Sequence, residues 1–125
     1  MSLLNPKGVA WVGLYASDLP ALIEFYQTKV GFQVIERDQD YCIFDSGAGS
    51  LFELWGNGFS SPERKSARQQ SVIVGFLVEQ LEAAVSALKA RGVEANTEIK
   101  SHLGTRWIYY MDPEGNRFEL KDFHG

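Results

Sequence analysis

Two glutamates stand in the same triplet, Phe52-Glu53-Leu54 and Phe118-Glu119-Leu120. In an extended strand each acid falls on the face opposite its two apolar neighbours. A mid-strand carboxylate on a solvated face is an ordinary surface charge. Lining a cavity, it can ligate a metal or act as a general base beside a carbonyl. Two carboxylates turned into one interior are costly unless something pairs with them. Glu53 and Glu119 are therefore the candidate catalytic residues, and whatever faces them is the candidate site.

The alternation of strand side chains names those neighbours. Trp11, Gly13 and Tyr15 share a face, as do Leu51, Glu53 and Trp55. A tight turn centred on Glu114 pairs Tyr109 with Glu119 and Trp107 with Lys121. Trp11, Tyr15, Trp55, Trp107 and Tyr109 then stand beside Glu53 and Glu119, with Gly13 and Gly75 leaving room. Aromatic walls with two acids suit a planar or cationic organic ligand, through stacking and cation–π contact. The alternative is a closed core in which the acids pair with Arg106, Arg117 or Lys121. Of the two histidines, His124 is terminal and His102 lies in the loop before the last hairpin. Cys42, inside Tyr41-Cys42-Ile43-Phe44, reads as a small buried hydrophobe, since no histidine is near it in sequence.

These residues need elements to hold them. Val9 to Tyr15 reads as a strand. Asp18 is a helix N-cap with Pro20 in the first turn, and Leu22, Ile23, Phe25, Tyr26 and Val30 form a helical stripe that Gly31 ends. Strands follow at 32–37, 41–45 and 51–55, the last two around Ser46-Gly47-Ala48-Gly49-Ser50. A polar linker, residues 57–70, separates this module (8–56) from a second (71–123). There, 71–78 reads as a strand, and Leu81, Ala84, Val85 and Leu88 form a helical stripe ending at Gly92. Residues 93–99 read as a strand and 101–105 as a loop. Strands at 106–111 and 117–122 flank Asp112-Pro113-Glu114-Gly115-Asn116. In that turn Pro113 presets φ, Gly115 supplies a positive φ, and Asp112 and Asn116 bond the local backbone.

The halves match each other. Leu14-Tyr15-Ala16-Ser17-Asp18-Leu19 aligns with Phe76-Leu77-Val78-Glu79-Gln80-Leu81, Gly31-Phe32 with Gly92-Val93, and the two Phe-Glu-Leu triplets with one another. One β-α-β-β-β unit cannot bury both faces of its sheet, so the fold expected is α+β, with two tandem βαβββ modules joining their sheets.

The Asp-Pro-Glu-Gly-Asn hairpin with Phe-Glu-Leu, the duplication, and the pattern from Asp18 through Phe25-Tyr26 to Gly31-Phe32 together resemble the vicinal oxygen chelate superfamily. That group includes glyoxalase I, extradiol dioxygenases, and fosfomycin- and bleomycin-resistance proteins. The resemblance implies a curved mixed sheet around a cleft, a homodimer, and a site inside the cleft that His102 could contact. It also implies four metal-ligand positions, one early in the first strand and one glutamate in the last strand of each module. Glu53 and Glu119 occupy the second kind. Trp11 and Ile73 occupy the first, and neither can donate to a divalent ion. The reading is a protein that binds a small organic ligand without the usual metal, with no other cofactor. The alternative is a lyase, isomerase or dioxygenase-type enzyme using Glu53 and Glu119 as base or partial metal site.

Composition bounds the rest. A net charge of −4 with mixed signs lacks the basic patch of a nucleic-acid binder. No apolar run is long enough for a membrane span, and no secretory signal is visible. A single cysteine makes a cytoplasmic protein the expectation.

Overall fold

A computed structural model describes residues 3–56 and 64–123. His124 and the first half of the linker, residues 57–63, lie outside the described residues. The first half of the chain supplies β1 (Trp11–Tyr15), α1 (Leu19–Glu24) continued by a π-helical turn (Phe25–Val30), β2 (Gln33–Arg37), β3 (Tyr41–Asp45) and β4 (Leu51–Trp55). The second supplies β5 (Val74–Leu77), α2 (Leu81–Ala90), β6 (Lys100–His102), β7 (Thr105–Met111) and β8 (Arg117–Phe123). Each half folds into its own four-stranded mixed sheet, with orders β1-β4-β3-β2 and β5-β8-β7-β6. In both, the first strand runs parallel to the last and the remaining pairs are antiparallel. The duplication in the sequence is thus a duplication of topology.

Local chemistry explains the boundaries. The Asp18 carboxylate accepts from the Ala21 amide at 3.2 Å, closing the first turn of α1. Gly31, at φ +89°, ends the π-helical turn by donating to the Tyr26 carbonyl. The strand expected over residues 93–99 does not form. Val93 drops into the core instead, and only Asn96 and Thr97 touch β7, through the Tyr109 carbonyl and amide. The strand is Lys100–His102, so Ser101 and His102 are not loop residues. Leu103 and Gly104, both at positive φ, turn the chain straight into β7.

The halves share one core. Phe32 and Phe52 pack edge-on against Phe76 of β5, with ring centroids 4.7 and 5.2 Å apart, and Tyr26 lies 5.7 Å from Phe118 of β8. Each sheet therefore turns Phe44, Phe52 and Leu54, or Ile108, Tyr110, Phe118 and Leu120, toward the common interior. Burial pushes the Cys42 thiol pKa up, as befits a small core side chain.

A buried polar knot fastens the halves. In the turn after β7, Asp112 accepts the Glu114 and Asn116 amides on one oxygen, both at 2.9 Å. Its other oxygen accepts the Tyr26 hydroxyl at 2.7 Å and the Asn116 side chain at 2.8 Å. The buried carboxylate is satisfied by four donors rather than by a counter-ion. Burial first, then Asp112, raises the Tyr26 pKa well above its ordinary value, so the phenol remains a donor. Glu114 reaches across to α1, accepting the Ser17 and Asp18 amides at 2.8 Å each. The end of the linker straps the same turn: Lys65 donates its amide to the Glu114 carbonyl, and Gln70 bonds the Gly115 carbonyl and the Arg117 amide.

Candidate functional site

Strand alternation puts both glutamates on the sheet faces turned away from the shared core. On the first sheet, Glu53 lies between Gly13 of β1 and Ile43 of β3, and Trp55 lies between Tyr15 and Tyr41. The Trp11 ring folds over Gly13, where any Cβ would meet it at 2.6 Å. The Trp55 indole N–H donates to Glu53 Oε1 at 2.9 Å, and the Tyr41 ring tilts onto Trp55 at 4.8 Å. Glu53 is only 8% exposed although it sits on the open face. The Trp55 indole bonds it, and the neighbouring Gly13 leaves room for the Trp11 ring. A hydrogen bond to Glu36 is the main reason the Tyr41 pKa is raised. Glu36 reaches this face because a bulge between Val34 and Glu36 shifts the β2 register. The face thus carries Glu36, Asp45 and Glu53, and no lysine or arginine lies in register with them.

The second sheet repeats the plan with opposite charge. Glu119 lies over Gly75, where a Cβ would come 2.9 Å from its Oε1. The hairpin register is the one the sequence predicts, Tyr109 opposite Glu119 and Trp107 opposite Lys121. The Lys121 ammonium lies 3.6 Å from Glu119, and the Arg117 guanidinium lies 4.4 Å from the centre of the Tyr109 ring. Lys100 stands opposite Trp107, and His102 is exposed at the end of β6 opposite Thr105. Of the three basic residues considered as partners for the acids, Lys121 pairs with Glu119 and Arg117 stacks on Tyr109. Arg106 points to the other face, bridging Glu82 and Asp122 at 2.6 Å each.

The structure gathers Trp11, Tyr15, Glu53 and Trp55 on one face, and Trp107, Tyr109, Glu119 and His102 on the other. The cavity of about 530 Å³ between β1 and β5 is lined by Trp11 and Leu51 from one sheet and by Ile73, Gly75 and Leu77 from the other. Neither glutamate lines it. The sequence reading missed Tyr41, Glu36 and Lys100. Pairing the strands on either side of the 46–50 turn would have found Tyr41, opposite Trp55, but the bulge hid Glu36 and the displaced β6 hid Lys100.

The Glyoxalase/Bleomycin resistance protein/Dioxygenase superfamily model matches residues 8–120. This chain belongs to that superfamily. An uncharacterized Bacillus subtilis (strain 168) protein, YwkD, is 29% identical over 124 residues, 91% of this chain and 95% of that protein. The chain is also similar to a glyoxalase/bleomycin resistance protein/dioxygenase from Nocardioides, with 25% identity, a TM-score of 0.74, and 96% of this chain and 85% of that one covered. A glyoxalase/dioxygenase from Nostoc punctiforme has the same fold, with a TM-score of 0.78 at 18% identity over 100% of this chain and 97% of that one.

Register now settles the equivalences within this superfamily member. Trp11 precedes Gly13, the partner of Glu53, by two residues, and Ile73 precedes Gly75, the partner of Glu119, by two. Trp11 and Ile73 are therefore the matching first-strand positions of the two halves. An indole and an alkyl chain offer no donor to a divalent ion. Among the described residues, no three of His, Cys, Asp and Glu come together as a ligand set. The described residues at these positions thus do not fit the metal site that the resemblance implies. Among the described residues, no helix is long and apolar enough to cross a membrane.

Proposed function

We propose that this protein binds a small, planar organic ligand in an aromatic cleft that a second copy of the chain completes, without a catalytic metal. The carrying observation is a pair of matching open faces, each with a mid-strand carboxylate in register with a glycine of the neighbouring strand, among aromatic rings. Aromatic rings flanking partly desolvated carboxylates give stacking area plus a fixed polar contact, which is how small-molecule sites achieve orientation. All three tryptophans of the chain stand on these faces.

The edges support the second copy. A free strand edge is normally blunted by charge, shortness or a bulge. β2 ends in Glu36-Arg37 with a bulge, and β6 has three residues beginning with Lys100. The other two edges, β1 (WVGLY) and β5 (VGFL), carry no charge. Trp11 is 54%, Tyr15 53% and Leu77 64% exposed in the single chain. Pairing β1 of one copy with β5 of the other covers both edges by a two-fold axis and sets an acidic face opposite a basic one. The cleft then holds Glu53 of one copy and Glu119 of the other.

The burial of Glu53 beside the Trp55 indole favours a second reading, a metal-free enzyme in which Glu53 takes a proton beside a carbonyl. The test of the first reading is a calorimetric and thermal-shift screen of planar aromatic acids, amides and amines. At least one compound should bind with micromolar affinity and lose it in Trp55→Ala or Trp107→Ala. Failure of every class to bind would overturn the reading. For the second, turnover of any bound carbonyl compound should vanish in Glu53→Gln, and its persistence would exclude that role.

A further inference from the structure

The notable departure from symmetry between the two faces is electrostatic. The first face carries acids alone, whereas the second carries Lys100, Arg117 and Lys121 against the single carboxylate of Glu119. Lys121 is occupied in part, at 3.6 Å from Glu119. Arg117 is different. Among the described residues it forms no ion pair, and its guanidinium carbon sits over the Tyr109 ring, 4.4 Å from the ring centre. A guanidinium engaged by an aromatic ring alone has no carboxylate taking its N–H groups, and those groups are what match a ligand carboxylate in a two-point contact. Stacking also fixes the group before a ligand arrives, which lowers the ordering cost of binding. On the same face stand Trp107, in register with Lys121 and Lys100, and Glu119, whose side chain lies over Gly75.

We infer that the ligand of this cleft is an organic anion, with a carboxylate received by Arg117 and Lys121 and a planar body laid against Tyr109 and Trp107. This deepens the ligand-binding reading and rests on it. The acids of the first face then meet the far end of the ligand, where Glu53 accepts from a donor group. A purely cationic ligand would meet repulsion on the second face, because three cations there outnumber one acid.

The experiment compares 2-naphthoate, 2-naphthamide and 2-naphthylmethylamine, which share one ring system and differ in charge. Affinities are measured by calorimetry on the full chain, on Arg117→Gln and on Lys121→Gln, with circular dichroism confirming that each variant is folded. The expected result is naphthoate binding about tenfold or more tighter than the amide, with the amine weakest. Each variant should shrink the naphthoate preference while changing amide affinity by less than about threefold. Raising the salt concentration should weaken naphthoate alone. Equal binding of all three, or a preference unchanged in both folded variants, would overturn the anion assignment and leave the aromatic cleft intact. Binding of none of the three, with no hit in the wider screen, would overturn the cleft reading as well.

Discussion

Asp112 shows how much can depend on one side chain in this molecule. It accepts from Tyr26, Asn116 and two backbone amides while almost fully buried. Replacing it with alanine strands four donors in the interior. Asp112→Ala should cost about 3 kcal/mol or more of unfolding free energy by urea denaturation. A loss under about 1 kcal/mol would mean that water replaces the carboxylate readily. Arg106 makes the contrasting case at the surface. Its hydrogen bonds hold the Glu82 carboxyl at about 2, below its ordinary 4.5. A lowered folded-state value means that the stabilisation is present above 4.5 and fades as the pH falls toward about 2. Glu82→Gln should therefore flatten the acid limb of the melting-temperature profile in that window and leave its slope near neutrality unchanged. An unaltered acid limb would show that the pair contributes nothing measurable, as many exposed pairs do.

At the scale of elements, the turn after β7 is where sequence and structure agree most closely, and for a physical reason. Pro113 has a fixed φ, Gly115 takes the positive φ that other residues avoid, and the Asp112 carboxylate bonds the turn's amides, so together they fix both the turn and the register that follows. Gly115 sits at φ +75°, with the Lys65 backbone against the place a Cβ would occupy. Gly115→Ala should destabilise by about 2 kcal/mol or more and loosen the linker end, seen as faster amide exchange at Lys65 and Arg117. Unchanged exchange there would separate the strap from the turn. The element before β7 was illegible by the same logic. Its turn places Leu103 at positive φ, which nothing in leucine's chemistry announces, so the strand appeared too early in the sequence. The site was half legible. Alternation gives the face of each side chain and correctly groups Trp11, Tyr15, Glu53 and Trp55, and then Trp107, Tyr109 and Glu119. It carries no information on how one sheet stands to the other. That is decided by packing around Phe76 and Phe118, which turns both glutamates outward.

At the scale of the whole molecule, the proposed pairing of two copies rests on two uncharged strand edges and two open faces of opposite charge. Leu77→Asp should place a charge on the β5 edge and shift the protein from dimer to monomer in light scattering, with its circular dichroism retained. A wild-type chain that stays monomeric at high micromolar concentration would contradict the pairing. The central claim is that each cleft takes Glu53 and Trp55 from one copy and Trp107 and Glu119 from the other. Subunit mixing tests it most directly. A Trp55→Ala/Glu53→Ala chain and a Trp107→Ala/Glu119→Ala chain each make dimers with two damaged clefts. Mixed dimers of the two have one cleft damaged on both sides and one intact. Mixing the variants, allowing exchange, and titrating the tightest-binding aromatic probe should restore wild-type affinity at roughly a quarter of all sites. If exchange is complete and no wild-type site reappears, the cleft is not shared between copies and the account is wrong.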